Sequence, residues 1–544
     1  MVILFFLLLF LYGCLVFRDY GIGVDEPVER RSSLITWLYL NPSLQDVVTD
    51  TVDFSQLEPL QEYQDRYYGV TVMLPCVIAE HLTGFTMPLD QVYAMRHFYT
   101  FALFFAGAIF FYFLCREFVR KRWLALLGTM FLVISPRILS ESFYNLKDLI
   151  FLSVVIVTLY FGVRFMKRSS VRNMIGLAAA GALCVNVRII GGYVLALCLL
   201  LAWIRAVANG AGKGRKGEAA PEVPGKAAGR EKKGRSILRQ TGFCLGAGLL
   251  SLGIYLLITP ITWDNPVGRI IEIIRHFSDY SVWNDYNYYM GRYITREEIP
   301  WHYLPVWMAI TIPAVTLVCA AGGAVTETAR LLRRRAGLDW ERLCVLLMPV
   351  VPVAYAVFLR PTMYNGWRHF YFLYPFLCIL AMFFVEYLEK KWQGCGKKGR
   401  LWGLRGVLAV GFLSSVLWIG VNHPYDYVYF NEIARDWALP RFDRDYWGVS
   451  EKDALEWICD MDSREEIRIY LLTDFSLPLL AEEDRSRIVR VSTMEEAEYY
   501  VHGYHAGALG GLPAGSEGME PCYSIDVDGY PIRTVYRREV NMYE

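Results

Sequence analysis

Two adjacent carboxylates, Asp25 and Glu26, lie in the run Gly21-Ile22-Gly23-Val24-Asp25-Glu26-Pro27-Val28-Glu29-Arg30-Arg31, just where the first apolar segment of the chain ends. A carboxylate at such a bend, partly withdrawn from water, is equipped to take a proton from a hydroxyl. A structural reading stands beside this one. Pro27 suits the first position of a helix, Glu26 would be its cap, and Glu29 falls where a capping box places an acid. That accounts for Glu26 and Glu29 but not for Asp25, which precedes the helix. A second polar cluster runs from Ser135-Pro136-Arg137 through Glu141 to Asn145-Leu146-Lys147-Asp148. Asp148 opens an apolar stretch, where the positive end of a helix dipole favours an anion. A cluster wedged between apolar segments at a membrane surface also suits a charged headgroup. Arg137, Lys147, Arg188, Arg368 and His369 are candidates to hold a phosphate, since several forked guanidinium groups together match its oxygens. Singly, each arginine is equally read as a snorkelling side chain and His369 as an interfacial histidine. The stretch from Trp263 to Tyr303 is crowded with aromatics, Tyr280, Trp283, Tyr286, Tyr289, Tyr293 and Trp301 among them. They fit either an interfacial belt or a stacking platform.

The elements that must position these groups follow from composition. Of 544 residues, 55% are hydrophobic and 20% charged, against about 45–50% and about 25% for an average soluble domain. Mean hydropathy is +0.28. The excess falls in blocks long enough to cross a hydrocarbon core of about 30 Å as helices. The reading is a mainly α, polytopic transmembrane bundle of about eleven spans: 2–17, 96–115, 123–135, 149–165, 173–187, 190–206, 241–260, 302–321, 343–359, 369–387 and 404–421. The stretch 67–84, broken by Pro75, Glu80 and His81, reads as an interfacial helix. A basic flexible loop is expected over 207–239. Basic residues recur in alternate loops, at 116–122, 164–172, 207–239, 330–335 and 390–400, which assigns those loops to the cytoplasm. The opposite face then carries the large first loop 18–95, residues 136–148, 261–301 and 360–368, and the segment 422–544 beyond the transmembrane module 1–421. In that last segment a helix is expected over Lys452–Asp460, with strands at Ile467–Leu472, Arg487–Val491, Tyr523–Val527 and Arg533–Arg537. Asp528-Gly529 is the turn of a closing hairpin, so the end of the chain reads as a small α/β domain. Cys459 and Cys522 both lie there and are open to pairing; most of the 12 cysteines lie in apolar spans. No Walker loop, HExxH, GxSxG or dinucleotide-binding glycine pattern occurs, and no basic face suggests a nucleic-acid partner.

Four patches resemble the GT-C glycosyltransferases, and within them family 39, the protein-O-mannosyltransferase and aminoarabinose-transferase relatives. They are Val24-Asp25-Glu26-Pro27, the Ser135–Asp148 loop, Tyr364-Asn365-Gly366-Trp367-Arg368-His369 with Tyr374-Pro375, and His423-Pro424-Tyr425 through Asn431 followed by Asp445-Tyr446-Trp447-Gly448. Their order and shared sidedness carry the resemblance over most of residues 1–450. It implies an integral membrane transferase that moves a sugar from a polyprenyl-phosphate donor to an acceptor outside the cytoplasm, usually with inversion. By motif position Asp25 would be the general base, Glu26 its acidic neighbour, and Asp148 the second acidic position. Arg137, Lys147, Arg188 and Arg368 would face the leaving phosphate. Some relatives need a divalent metal and others do not; without DxD or a histidine cluster in the first loop, no tightly bound metal is expected. The acceptor, whether protein, lipid or cell-wall polymer, is left open. The location expected is a multi-pass position in the plasma membrane, with the site and the last domain on the extracytoplasmic face. The rival class is a lipid-linked sugar flippase or transporter, which would place its ionisable groups at mid-membrane on broken helices rather than at the outer ends of spans.

The sidedness is testable. In a cysteine-free background, Lys226→Cys is expected to resist an impermeant thiol reagent applied to intact cells, while Glu483→Cys reacts. Labelling at 226 would overturn the assignment.

Overall fold

The computed structural model describes residues 1–212, 226–278, 285–333, 338–505 and 511–538, apart from the side chains of 209–236. The helices run in the order α1 (Val2–Val16), α2 (Glu26–Leu40), α3 (Leu74–Leu82), α4 (Leu89–Phe118), α5 (Arg122–Val133), α6 (Pro136–Tyr144), α7 (Asp148–Lys167), α8 (Val171–Val187), α9 (Gly191–Gly212), α10 (Lys226–Leu257) and α11 (Pro266–Ser278). A small hairpin follows, β1 (Asn287–Tyr289) and β2 (Arg292–Ile294), then α12 (Tyr303–Thr311), α13 (Ala314–Leu332), α14 (Trp340–Leu347), α15 (Val350–Leu359), α16 (Tyr374–Gly394) and α17 (Lys398–Asn422). Among the described residues eight helices, α14 and α15 counting as one, are long and apolar enough to cross a membrane. The bent pair α5–α6 makes a ninth if it is one span, and α1 and α8 are shorter apolar helices. Every apolar stretch expected from sequence is therefore helical.

Several boundaries differ from expectation, each for a local reason. The α5–α6 pair bends by 67°, because Pro136 has no N–H to continue the ladder and forces Ser135 into an extended conformation. Pro313 likewise divides the expected span 302–321 into α12 and α13, and the membrane-length piece runs on to Leu332. The interfacial helix expected over 67–84 shrinks to α3, preceded by turns. The expected linker 207–239 lies partly outside the described residues, at 213–225, and from Lys226 onward it is helix. Its Ala, Lys, Arg and Glu residues are good helix formers that extend the apolar helix behind them.

The first loop is held down by charge. Glu80 of α3 is 1% exposed and bonds three ways. Arg30 of α2 donates to its Oε2 through Nε (3.0 Å) and Nη2 (2.7 Å). Arg96 of α4 donates to its Oε1 at 2.9 Å. Residues that interrupt the apolar pattern in sequence are thus the rivets of the fold.

The chain closes with α18 (Arg435–Ala438), α19 (Glu451–Met461) and a five-stranded sheet of order β4-β3-β5-β7-β6. Its strands are β3 (Ile467–Tyr470), β4 (Ile488–Arg490), β5 (Tyr499–Gly503), β6 (Met519–Val527) and β7 (Tyr530–Arg538). The helix and four strands match the sequence reading, and the β6–β7 turn is Asp528-Gly529, both with positive φ (51° and 79°). The strand not expected is β5, at the centre of the sheet. All five of its residues are buried, so it shows no alternation for a sequence pattern to catch. Cys459 and Cys522 are both free thiols. The sheet is not a separate body: Arg533 of β7 donates to Asp445 Oδ2 at 2.7 Å, and both are buried.

Glu80→Ala leaves two buried guanidinium groups without their carboxylate, at a cost of about 3–5 kcal/mol. A thermal midpoint equal to wild type in detergent would refute the clamp.

Candidate functional site

The site gathers where α2, the α6–α7 corner, the α8–α9 turn and the residues before α16 meet. Asp25 is the residue before α2; its side chain makes no capping bond, and Pro27 is in the first turn. The capping reading therefore fails for Glu26 and Glu29, and Asp25 takes the cap position without capping. Glu26 lies inside the helix, and its Oε2 accepts the Gly23 N–H at 2.8 Å and faces His97 Nε2 at 3.1 Å. His97 Nδ1 faces the Phe17 carbonyl at 3.2 Å. Glu29 is buried and makes no return bond to the start of the helix.

Asp25 is the accessible acid, with a side chain 35% exposed. Arg368 Nη1 donates to its Oδ2 at 2.6 Å. The Arg368 guanidinium lies between the rings of Tyr364 (4.9 Å) and Trp447 (4.7 Å), and its buried Nε has no hydrogen-bond partner among the described residues. The turn before it is strained into shape: Asn365 and Gly366 both have positive φ. Asn287 of β1 holds that turn by accepting the Asn365 N–H (3.1 Å) and donating to the Met363 carbonyl (2.9 Å).

Asp148 opens α7 and is ion-paired with Arg188; its own N–H donates to Asn145 Oδ1 at 2.8 Å. The ammonium of Lys147, next to it, makes no ion pair or hydrogen bond among the described residues and sits 3.5 Å from the centre of the Tyr68 ring. Burial holds its ammonium below the usual lysine range. Asn145 also donates to buried Glu141 (2.8 Å), which accepts from Tyr371 (2.6 Å) and Tyr446 (3.0 Å). Tyr446 in turn accepts from Arg137 Nη1 at 3.2 Å.

Of the residues singled out in sequence, Asp25 and Arg368 are bonded to each other, Asp148 and Arg188 likewise, and Lys147 adjoins both pairs. His369 packs edge-on against Tyr364, with ring centres 4.6 Å apart. Arg137 is set apart. It is buried, donates to the Tyr429 carbonyl (2.9 Å), and lies over Trp307 and Phe430. Its contacts reach the late segment rather than the Asp25–Arg368 and Asp148–Arg188 pairs. Sequence reasoning named Glu141 within the second polar cluster without giving it a role, and missed Tyr371, which falls between the quoted motifs, and Asn287. Among the described residues no three His, Cys, Asp or Glu side chains converge as a metal site. In the aromatic stretch, Tyr289 and Tyr303 are buried, whereas Trp263, Tyr286, Tyr293 and Trp301 are exposed. Tyr280 and Trp283 lie outside the described residues.

Two glycines let backbones meet here. A Cβ on Gly21 would stand 2.2 Å from the Val449 carbonyl oxygen, and one on Gly69 would stand 2.0 Å from that of Asn186. The first contact, with Val24 N–H donating to the Trp447 carbonyl at 3.0 Å, seats Asp25 beside the segment that supplies Trp447. The second lays Tyr68 over the turn that carries Arg188.

No known sequence family matches the chain, and no curated protein matches it. Solved structures do. ArnT from Cupriavidus metallidurans in the apo state is 14% identical, with a TM-score of 0.47, over 98% of this chain and 98% of that one. The Archaeoglobus fulgidus oligosaccharyltransferase tethered with an acceptor peptide is 12% identical, with a TM-score of 0.45, over 98% of this chain and 74% of that one. Arabinofuranosyltransferase AftD from Mycobacteria is 12% identical, with a TM-score of 0.41, over 99% of this chain and 40% of that one.

Gly21→Ala forces its methyl into a backbone oxygen that cannot swing aside. It is expected to lower the thermal midpoint and to abolish any activity carried by Asp25. Unchanged stability would show that the 21–25 segment is not set by this contact.

Proposed function

We propose that this protein is an integral membrane glycosyltransferase. It moves a sugar from a polyprenyl-phosphate donor to an acceptor hydroxyl on the extracytoplasmic face, with inversion. The observation that carries the reading is one partly exposed carboxylate, Asp25, bonded to Arg368, in a cluster where Arg188 pairs with Asp148 and Lys147 makes no ion pair among the described residues. Asp25 takes the proton of the acceptor hydroxyl as its oxygen attacks the anomeric carbon. The bond from that carbon to the phosphate oxygen breaks, and its electron pair leaves on the phosphate. Lys147, Arg188 and Arg368 stabilise the charge that builds there; fixed charges already in place are worth most in a site shielded from water. Arg368 engages Asp25 Oδ2. A phosphate that takes over that guanidinium frees the carboxylate at the moment a donor is present. Asp148 keeps Arg188 oriented, and Glu26, already occupied by Gly23 and His97, supports the bend.

Three further features support the reading. The charges cluster at the ends of helices and in the loops joining them, as a headgroup site requires. A narrow crevice runs from Arg188 past Tyr68, Asn186 and Thr259 to Phe277. Beside it α11 exposes Val267, Ile271 and Ile274, as suits a helix that lies in the membrane surface. A lipid-linked donor also carries its own driving force, consistent with a chain that has no nucleotide loop.

The test is sugar release from a panel of labelled polyprenyl-phosphate sugars in nanodiscs, using wild type and Asp25→Asn. Wild type is expected to release one sugar, and the variant to be slower by about 10²–10⁴-fold, the usual worth of a general base. Near-normal turnover in the variant removes Asp25 from that role. Donor flipping in liposomes without release would replace the transferase by a transporter.

A further inference from the structure

Of the three acids at the start of α2, two have evident employment: Asp25 holds Arg368, and Glu26 holds Gly23 and His97. Glu29, one helical turn beyond Asp25 on the same face, has neither kind of partner. It is 3% exposed, and its buried Oε2 meets no hydrogen-bond donor among the described residues. An ionised carboxylate in such a place is costly, whereas the neutral acid leaves no bare charge. The side chain opposite is Lys147, the cation without an acid. The charges that act on the two are Asp25 and Glu26 from α2, Asp148 from α7, Asp65 from the first loop and Arg188 from the α8–α9 turn.

We propose that Glu29 is a positioning residue for the donor phosphate, held as the neutral acid so that Lys147 presents its charge to the ligand instead of to Glu29. This role rests on the transferase reading. Burial, with the neighbouring carboxylates adding to it, pushes the Glu29 carboxyl up to about 8. The pairing gives the arrangement its meaning. Arg188 and Arg368 each have a bonded carboxylate, Asp148 and Asp25. With Glu29 neutral, the charge of Lys147 is left to meet the single negative charge on a phosphate diester. With Glu29 ionised, Lys147 has an acid of its own. Loss of its proton as pH rises therefore weakens the hold on phosphate.

Two measurements on the full-length chain in nanodiscs test this. The first is binding of dodecyl methyl phosphate, a diester that does not itself titrate between about pH 6.5 and about pH 9.5. Wild-type affinity is expected to fall by up to about tenfold per pH unit above about pH 8, the slope of one proton. Glu29→Gln, which keeps the shape of the neutral acid, is expected to bind as wild type does at neutral pH and to lose the alkaline decline. A decline that survives in Glu29→Gln, as it would if Lys147 alone titrated, overturns the proposal. So does a large loss of affinity at neutral pH in that variant. The second measurement needs no ligand: the infrared carbonyl stretch of a protonated carboxyl, present at neutral pH, bleached at alkaline pH and missing from Glu29→Gln. Its absence from wild type overturns the inference whatever the reaction. Its presence without diester binding at any pH overturns the transferase reading and, with it, the role of Glu29 toward phosphate.

Discussion

The Arg368 guanidinium is the point on which the site depends. It is 2% exposed, and a charge so enclosed must be paired or the structure around it fails. Its partner, Asp25, lies 343 residues earlier in the chain. Of the two rings against it, Tyr364 comes from its own turn and Trp447 from a further segment. Three stretches of chain are thus obliged to meet at one cation. Removing any of them would leave a charge buried in a region where water cannot replace the lost contact.

That obligation explains the investment in holding those stretches still. The Arg30–Glu80–Arg96 cluster fastens α2 to α3 and α4, so Asp25 stands at the end of a fixed helix and not on a loose loop. Gly21 lets the chain before Asp25 lie directly against the backbone at Val449. Asp445 organises the turn that presents Trp447, accepting from Gly448 N–H, Tyr427, Ser450 and Arg533. Because Arg533 belongs to β7, the terminal sheet is part of the support of the site and not an appendage.

Within the cluster, the acids have been sorted by environment. Glu26, Glu141 and Asp148 are buried and occupied; Glu29 is buried and unoccupied; Asp25 alone reaches outward. Identical side chains thereby acquire different tasks through burial and partner, not through chemistry of their own. The same holds for the cations. Arg137 is engaged by the Tyr429 carbonyl and Tyr446, while Lys147 rests on an aromatic face.

The sequence by itself determined what depends on composition and on neighbours along the chain. Long apolar runs can satisfy their backbone in a bilayer only as helices, so the helical segments were legible, as were α19, the Asp528-Gly529 hairpin and the polar clusters that hold Asp25, Asp148 and Arg368. What depends on partners distant in sequence was not legible. Glu80 breaks an apolar run and so read as surface, but only folding reveals the two arginines that allow it inside. Glu29 fitted a capping pattern, yet α2 begins one residue away from where that pattern needs it. The strand β5 escaped because burial on both faces erases alternation. Arg137 and Arg188 look alike in sequence, and the tertiary structure separated them, since the worth of a buried charge is decided by what stands within a few ångströms of it.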